Sequence, residues 1–236
     1  MQINNIQNSP SFSSLRCPVK PFTIQTSKGT LYCSEIDYTK VYKTSFYKKL
    51  GQFFLDIFAN TSSHPFWEKC RKPTIDKDVY DDYINSSISD YRKFFSDPDT
   101  TLIFAKDKRN RLIGAIYTRK LYLDHKIKDE DTLYIDGLAV NPKYRNFNVG
   151  RTLLEKVLNT SKERFSQTFL VAYKESSKFY EKLGFEYMDP KSNAQKFAIK
   201  KLSHIRIDYP KYADFMQKDL CKKLPNHWYE RIKSNK

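Results

Sequence analysis

The sequence predicts one α/β domain of the α+β kind, and three observations carry that expectation. Short apolar runs that alternate like strands recur between longer stretches with helical spacing. Two of the runs are joined by the short polar connection "KRN", as in a hairpin. The chain of 236 residues is 39% hydrophobic and carries 17 Tyr and 17 Phe, enough to bury a full core in one domain with additions.

Residues 1–30 are polar and include Pro10, Pro18 and Pro21, so they read as an N-terminal arm with too little apolar content for a core. "LYCSEIDY", from Leu31 to Tyr38, is a first strand. "SFYKKLGQFFLDIFAN" then sets Phe46, Leu50, Phe53, Phe54, Ile57 and Phe58 at helical spacing, and "DVYDDYINSSISDYRKFF" sets Tyr80, Tyr83, Ile84, Ile88 and Tyr91 on one stripe. "TLIFAKD" and "RLIGAIYTRKLYL" form the hairpin. "TLYIDGLAV" is a further strand, with Tyr134, Asp136, Leu138 and Val140 alternating against Leu133, Ile135, Gly137 and Ala139. A helix follows at once, its stripe made by Val149, Leu153 and Val157, with Leu154 and Leu158 beside them. The strand "TFLVAY", the helix "ESSKFYEKLG", the short strand "FEYM" and a last strand "QKFAIKKL" give the order β-α-α-β-β-β-α-β-α-β-β over residues 31–202. Residues 203–236 are a basic aromatic C-terminal extension, expected to pack on the domain. Interleaved Tyr, Phe, Trp228, Lys and Arg there would suit bases and phosphates. A helix burying Phe215, Leu220 and Leu224 is the favoured reading of that stretch.

Lys and Arg number 42 against 27 Asp and Glu, a net charge of +15 that favours anionic partners such as phosphates, RNA or an acidic lipid surface. Residues 1–30 hold +3 and residues 203–236 hold +4, so most of the charge is spread over the middle as a general basic surface. Cys17, Cys33, Cys70 and Cys221 lie far apart, without a CxxC pair or a zinc spacing, which predicts a reducing compartment and no metal centre. No stretch has the length of a transmembrane segment, and the start lacks the basic and apolar regions of a signal peptide. A soluble, cytoplasmic protein is therefore expected, although delivery by specialised secretion leaves no such mark.

The stretch "VNPKYRNFNVGRTLLEKV", residues 140–157, has the richest chemistry. A strand that ends at Val140, turns at Pro142 and enters a helix leaves unpaired backbone N–H groups where the helix dipole also favours negative charge. Gly150 permits close approach, Asn148 tolerates a left-handed conformation, and Arg145 and Arg151 add charge toward a diphosphate. An ordinary helix start with solvated arginines would share these residues.

Val140, Pro142, Arg145, Asn148, Gly150 and Leu153 follow a pattern that resembles the V-x-P-x-x-[RQ]-x-x-G-x-[GA]-x-x-L signature of the GNAT superfamily of N-acetyltransferases. Phe179, Tyr180, Lys182, Gly184 and Phe185 look like its second landmark, F-Y-x-K-x-G-F. The resemblance covers residues 31–202 and implies a mixed, mostly antiparallel sheet, flanked by helices and splayed where acetyl-CoA binds. It implies acetyl-CoA as co-substrate, no metal, a pantetheine arm along Leu138, Ala139 and Val140, and a diphosphate on the N–H groups of Asn146, Phe147, Asn148, Val149, Gly150 and Arg151. Asn148 departs from the pattern, standing where the family usually has a glycine, and the usual N-x-x-A ahead of the Phe-Tyr pair is replaced by "YKESSKFY".

Acyl transfer to nitrogen needs an uncharged amine and a proton donor for the leaving thiolate. Tyr180 matches the family tyrosine near the CoA sulfur. Asp136, on the expected face of Leu138 and Val140, is the candidate base, directly or through water, with Glu175 a weaker second. His64, His125, His204 and His227 fall outside both motifs. The expected reaction moves the acetyl group of acetyl-CoA to a primary amine of a protein or peptide. An aminoacyl-tRNA or other nucleic-acid-linked amine would use the basic surface, and a small-molecule amine or a catalytically weak CoA-binding regulatory module are the remaining alternatives. The oligomeric state is open.

Overall fold

The computed structural model describes residues 19–38, 40–60, 62, 77–96, 100–120, 132–189, 191 and 212–220. β1 (Phe22–Thr26) and β2 (Gly29–Glu35) open the fold, followed by α1 (Thr44–Ala59) and α2 (Lys77–Ser96). Then come β3 (Thr101–Lys106), β4 (Leu112–Lys120) and β5 (Thr132–Val140). A 3-10 turn at Pro142–Tyr144 leads into α3 (Val149–Ser161), β6 (Gln167–Tyr173), α4 (Lys174–Glu181), β7 (Glu186–Tyr187) and β8 (Ala213–Asp219). Among the described residues the strands make one eight-stranded sheet in the order β1-β2-β3-β4-β5-β6-β8-β7. Every pairing is antiparallel except that of β5 with β6, where α3 supplies the crossover a parallel pair requires.

The sheet takes in residues from both stretches that the sequence set apart as terminal additions. β1 lies within residues 1–30, pairs with β2 from Phe22↔Cys33 to Thr26↔Gly29, and buries Ile24 in the core. At the other end, Phe215 belongs to a strand and not to the expected helix. β8 pairs with β6 along its whole length, from Gln167↔Asp219 to Tyr173↔Ala213, and buries Ala213, Phe215 and Met216. A full ladder of backbone hydrogen bonds on an otherwise open strand outweighs a helical stripe of three apolar residues. The expected strand "QKFAIKKL", the tail from residue 221 with Leu224 and Trp228, and all four histidines lie outside the described residues.

The two faces of the sheet are covered by different helices. α3 and α4 lie over one face, where Val149, Leu153, Leu154, Val157 and Tyr180 meet Ile116, Leu133, Ile135, Leu170 and Met216. α1 and α2 lie over the other, where Leu50, Phe54, Ile57 and Tyr91 meet Leu102, Phe104, Ala115 and Ala139. The helical stripes read from the sequence are these contact faces, and burying one side chain such as Phe54 contributes about 1.5–3 kcal/mol.

One irregularity sets up the site. The β4–β5 register runs from Gly114↔Val140 to Tyr117↔Gly137 and resumes at Thr118↔Ile135, so Asp136 is an extra residue, a β-bulge. The bulge breaks the alternation expected along "TLYIDGLAV". Leu133, Ile135, Leu138 and Val140 all face α3 and α4, whereas Asp136 and Ala139 are on the α1 and α2 side. The expectation that Asp136 shares a face with Leu138 and Val140 is thereby corrected. Gly137 permits the kink to close, because a Cβ there would overlap the ring of Tyr117, its cross-strand partner. Gly137→Ala is expected to lower stability by about 1–3 kcal/mol, read as a lower urea midpoint, and adding Tyr117→Leu should recover part of the loss.

Candidate functional site

Past the bulge the sheet splays. β5 pairs with β6 only over Thr132–Ile135 and Gln167–Leu170, while Val171–Tyr173 of β6 pair with β8 on their other side. Among the described residues no strand therefore occupies the edge of β5 over residues 136–140. Asn141 N–H donates to Ile113 O at 2.8 Å, and antiparallel alternation then commits Ala139 to β4 and turns the backbone groups of Leu138 and Val140 toward the opening. Ala139, named with them from the sequence, is thus set apart, with its backbone on β4 and its side chain on the α1 and α2 face.

The strand ends at a loop that leads into the start of α3. The Asn141 side chain accepts from Lys143 N–H at 3.0 Å and starts the 3-10 turn, and Tyr144 and Phe147 pack back on the core. Asn146 and Asn148 both take positive φ, 66° and 59°, which asparagine tolerates better than other residues with a Cβ. Asn148 is the cap of α3, and its carbonyl accepts the first helical bond, from Thr152 N–H at 2.8 Å. Among the described residues none of the N–H groups from Asn146 to Arg151 finds a protein acceptor. Six consecutive free donors at a helix start are what a diphosphate requires.

The side chains around the loop agree with that use. Arg145 is exposed and has no carboxylate partner among the described residues. Arg151 shares its charge with Glu155 at 2.8 Å across one exposed turn, a pair of little energetic weight. A Cβ on Gly150 would stand 3.4 Å from Val140, 3.6 Å from Phe179 and 4.0 Å from Leu138. Those are ordinary contacts, so packing does not demand the glycine. Its absent side chain instead keeps open the space between the helix start and the strand end. Val149, beside it, is buried and anchors the first turn of α3. Lys28, at the β1–β2 turn, donates to Lys143 O at 2.5 Å and lies 5.4 Å from the Tyr144 and Phe147 rings, holding the hairpin against the loop.

The second motif meets the first at Gly150. Phe179 lies beside it, and Tyr180 follows, 8% exposed, with its ring edge-on to Phe179 at 5.0 Å and to Phe185 at 5.7 Å. Burial raises the Tyr180 phenol far above the ordinary tyrosine value. The side chain shares the core of Leu138 and Val140, and its hydroxyl makes no hydrogen bond among the described residues.

Asp136 occupies the other side of the opening. Its Oδ2 accepts from Arg119 Nε at 2.7 Å, with the two side chains 8% and 24% exposed. The Arg119 guanidinium also lies 5.2 Å from the Tyr134 ring. Tyr91 and Tyr117 stand edge to face at 5.8 Å, and burial first, with the Asp136 charge adding to it, raises both phenols well above the ordinary value. Arg119, Tyr117 and Tyr134 were not legible as site residues. Arg119 pairs in register with Tyr134, and only the bulge brings Asp136 within its reach. Glu175 is exposed in the first turn of α4.

Replacing Asn148 tests the loop directly. Asn148→Ala is expected to cost about 1–2 kcal/mol through its left-handed backbone, whereas Asn148→Gly should be close to neutral, with thermal denaturation reading both.

The acetyltransferase (GNAT) family profile matches residues 58–185, more than half of the chain. No curated protein matches it in sequence. Among solved structures it is similar to an acetyltransferase of the GNAT family from Staphylococcus aureus Mu50, with a TM-score of 0.52 at 21% identity over 80% of this chain and 99% of that one. It is similar to the PaiA N-acetyltransferase from Thermoplasma acidophilum, solved in complex with coenzyme A, with a TM-score of 0.50 at 15% identity over 79% and 98%. The GNAT domain of S. lividans PAT gives a TM-score of 0.53 at 10% identity over 84% and 96%. At these identities the structures speak for the fold alone. Among the described residues no cluster of His, Cys, Asp and Glu could hold a metal, and no helix is long and apolar enough to cross a membrane. Both sequence motifs fall inside the matched residues, the free donors and the splayed edge fit the acetyl-CoA this family uses, and the chain belongs to the acetyltransferase (GNAT) family.

Proposed function

We propose that this acyltransferase moves the acetyl group of acetyl-CoA to a primary amine carried by a protein or peptide. The observation that supports this reading is the opening between β5 and β6, which borders the anion loop and Tyr180 on one face and Asp136 on the other. Acetyl-CoA supplies an acyl group activated by its bond to sulfur. The N–H groups of residues 146–151, with Arg145 and Arg151, hold the diphosphate, and the free backbone edge of Leu138 and Val140 takes the amide-bearing arm as it would an added strand. The amine then enters from the α1 and α2 face. As the C–N bond forms and the C–S bond breaks, one amine proton passes to Asp136, directly or through water, and Tyr180 donates to the departing sulfur.

The buried phenol suits that task. Its raised proton affinity keeps it protonated at neutral pH, and burial that disfavours a phenolate also disfavours the thiolate it would protonate. The net charge of +15 favours a second acceptor, the amine of an aminoacyl-tRNA, whose use should collapse steeply as salt rises.

Thermal stabilisation by acetyl-CoA and CoA, followed by thiol release with alkylamine, lysine-peptide and aminoacyl-tRNA acceptors, tests the reading. Stabilisation by both ligands is expected, with turnover that falls about 100-fold in Tyr180→Phe while stabilisation persists. No stabilisation would sink the cofactor site, and stabilisation without any turnover would leave a binding module.

A further inference from the structure

The Arg119–Asp136 pair has no evident structural purpose. Burying opposite charges is no more stabilising than burying apolar residues of similar size, yet here the pair sits at the bulge, beside the opening, among aromatic rings. Arg119 Nε donates to Oδ2, and the Oδ1 oxygen has no hydrogen-bond partner among the described residues. The surrounding groups are Tyr83 and Tyr91 of α2, hydrogen-bonded to each other, Tyr117 of β4 and Tyr134 of β5, with Asp90 more remote and Phe54 of α1 adding no charge. Burial raises the Tyr91 and Tyr117 phenols well above the ordinary value, so Arg119 and Asp136 are the charged pair that faces them.

Acceptor amines exist in water as ammonium ions, and only the neutral amine attacks. An isolated carboxylate in an apolar chamber would hold the ammonium form and raise its pKa. Resting on the transfer reaction proposed above, we infer that Arg119 is a positioning residue that fixes the Asp136 carboxylate with Oδ1 toward the acceptor and cancels its charge, so that the chamber admits the amine without trapping it as ammonium. Asp136 then accepts the proton only as the C–N bond forms.

Arg119→Met and Arg119→Lys, compared with wild type in acetyl transfer to n-butylamine and to a lysine-containing peptide across pH 6–10, test this. In Arg119→Met the uncompensated carboxylate should move the acid limb of kcat upward by about one pH unit or more, lower the KM for the amine and leave the KM for acetyl-CoA within about twofold. Arg119→Lys should restore the limb. A limb and an amine KM that stay in place in a folded Arg119→Met protein would overturn the inference. So would a parallel loss in both KM values and thermal stability that Arg119→Lys fails to repair, the mark of a merely structural pair. If the wild type transfers to neither amine, the transfer reading above falls along with this one.

Discussion

A β-strand can offer its hydrogen-bonding edge to a neighbouring strand or to a ligand, but one edge cannot serve both, and the extra residue at Asp136 decides between them. Before it, β5 is an ordinary interior strand paired on both sides. Beyond it, β5 and β6 part, and the edge beside Leu138 and Val140 has no strand partner among the described residues. The same bulge transfers Leu138 and Val140 to the face covered by α3 and α4 and leaves Asp136 on the opposite face. One inserted residue thus opens the sheet between β5 and β6 and sorts Leu138 and Val140 from Asp136 to its two faces. The twist and unpaired residue that bulges bring are used here as architecture.

What surrounds the opening is rigid for identifiable reasons. The loop from Asn141 to Asn148 combines an asparagine-capped 3-10 turn, two left-handed asparagines and two aromatic side chains folded back on the core. Lys28 clamps it from the hairpin at the far edge of the sheet. A phosphate site made of backbone donors works only if those donors are already aimed, since ordering them on binding would consume much of the affinity.

The sequence made much of this legible. Helical spacing in α1, α2 and α3 and the two apolar runs of β3 and β4 joined by a short polar turn are local signals, and the motif from Val140 to Leu153 falls at a strand-to-helix corner as expected. Asn148 at positive φ is what its substitution for glycine leads one to expect. The bulge was hidden because a two-residue period fits "TLYIDGLAV" well, and only cross-strand register reveals the slip. Arg119 was hidden for the same reason. β8 was hidden because Phe215 can be grouped with Leu220 and Leu224 in a helical reading, and its strand form depends on β6, distant in the chain.

That distance has a bearing on how the protein comes to exist in a cell. β6, the far wall of the opening, is held on its outer side by residues 213–219. During synthesis, the motifs from Val140 to Phe185 leave the ribosome well before the strand that completes their wall, so the chain carries its whole reactive apparatus for a time without a finished sheet around it. Until β8 arrives, β6 shows an open edge with an apolar sequence, the kind of surface that other strands seek. Competence and protection from misassociation are therefore acquired in the same late step.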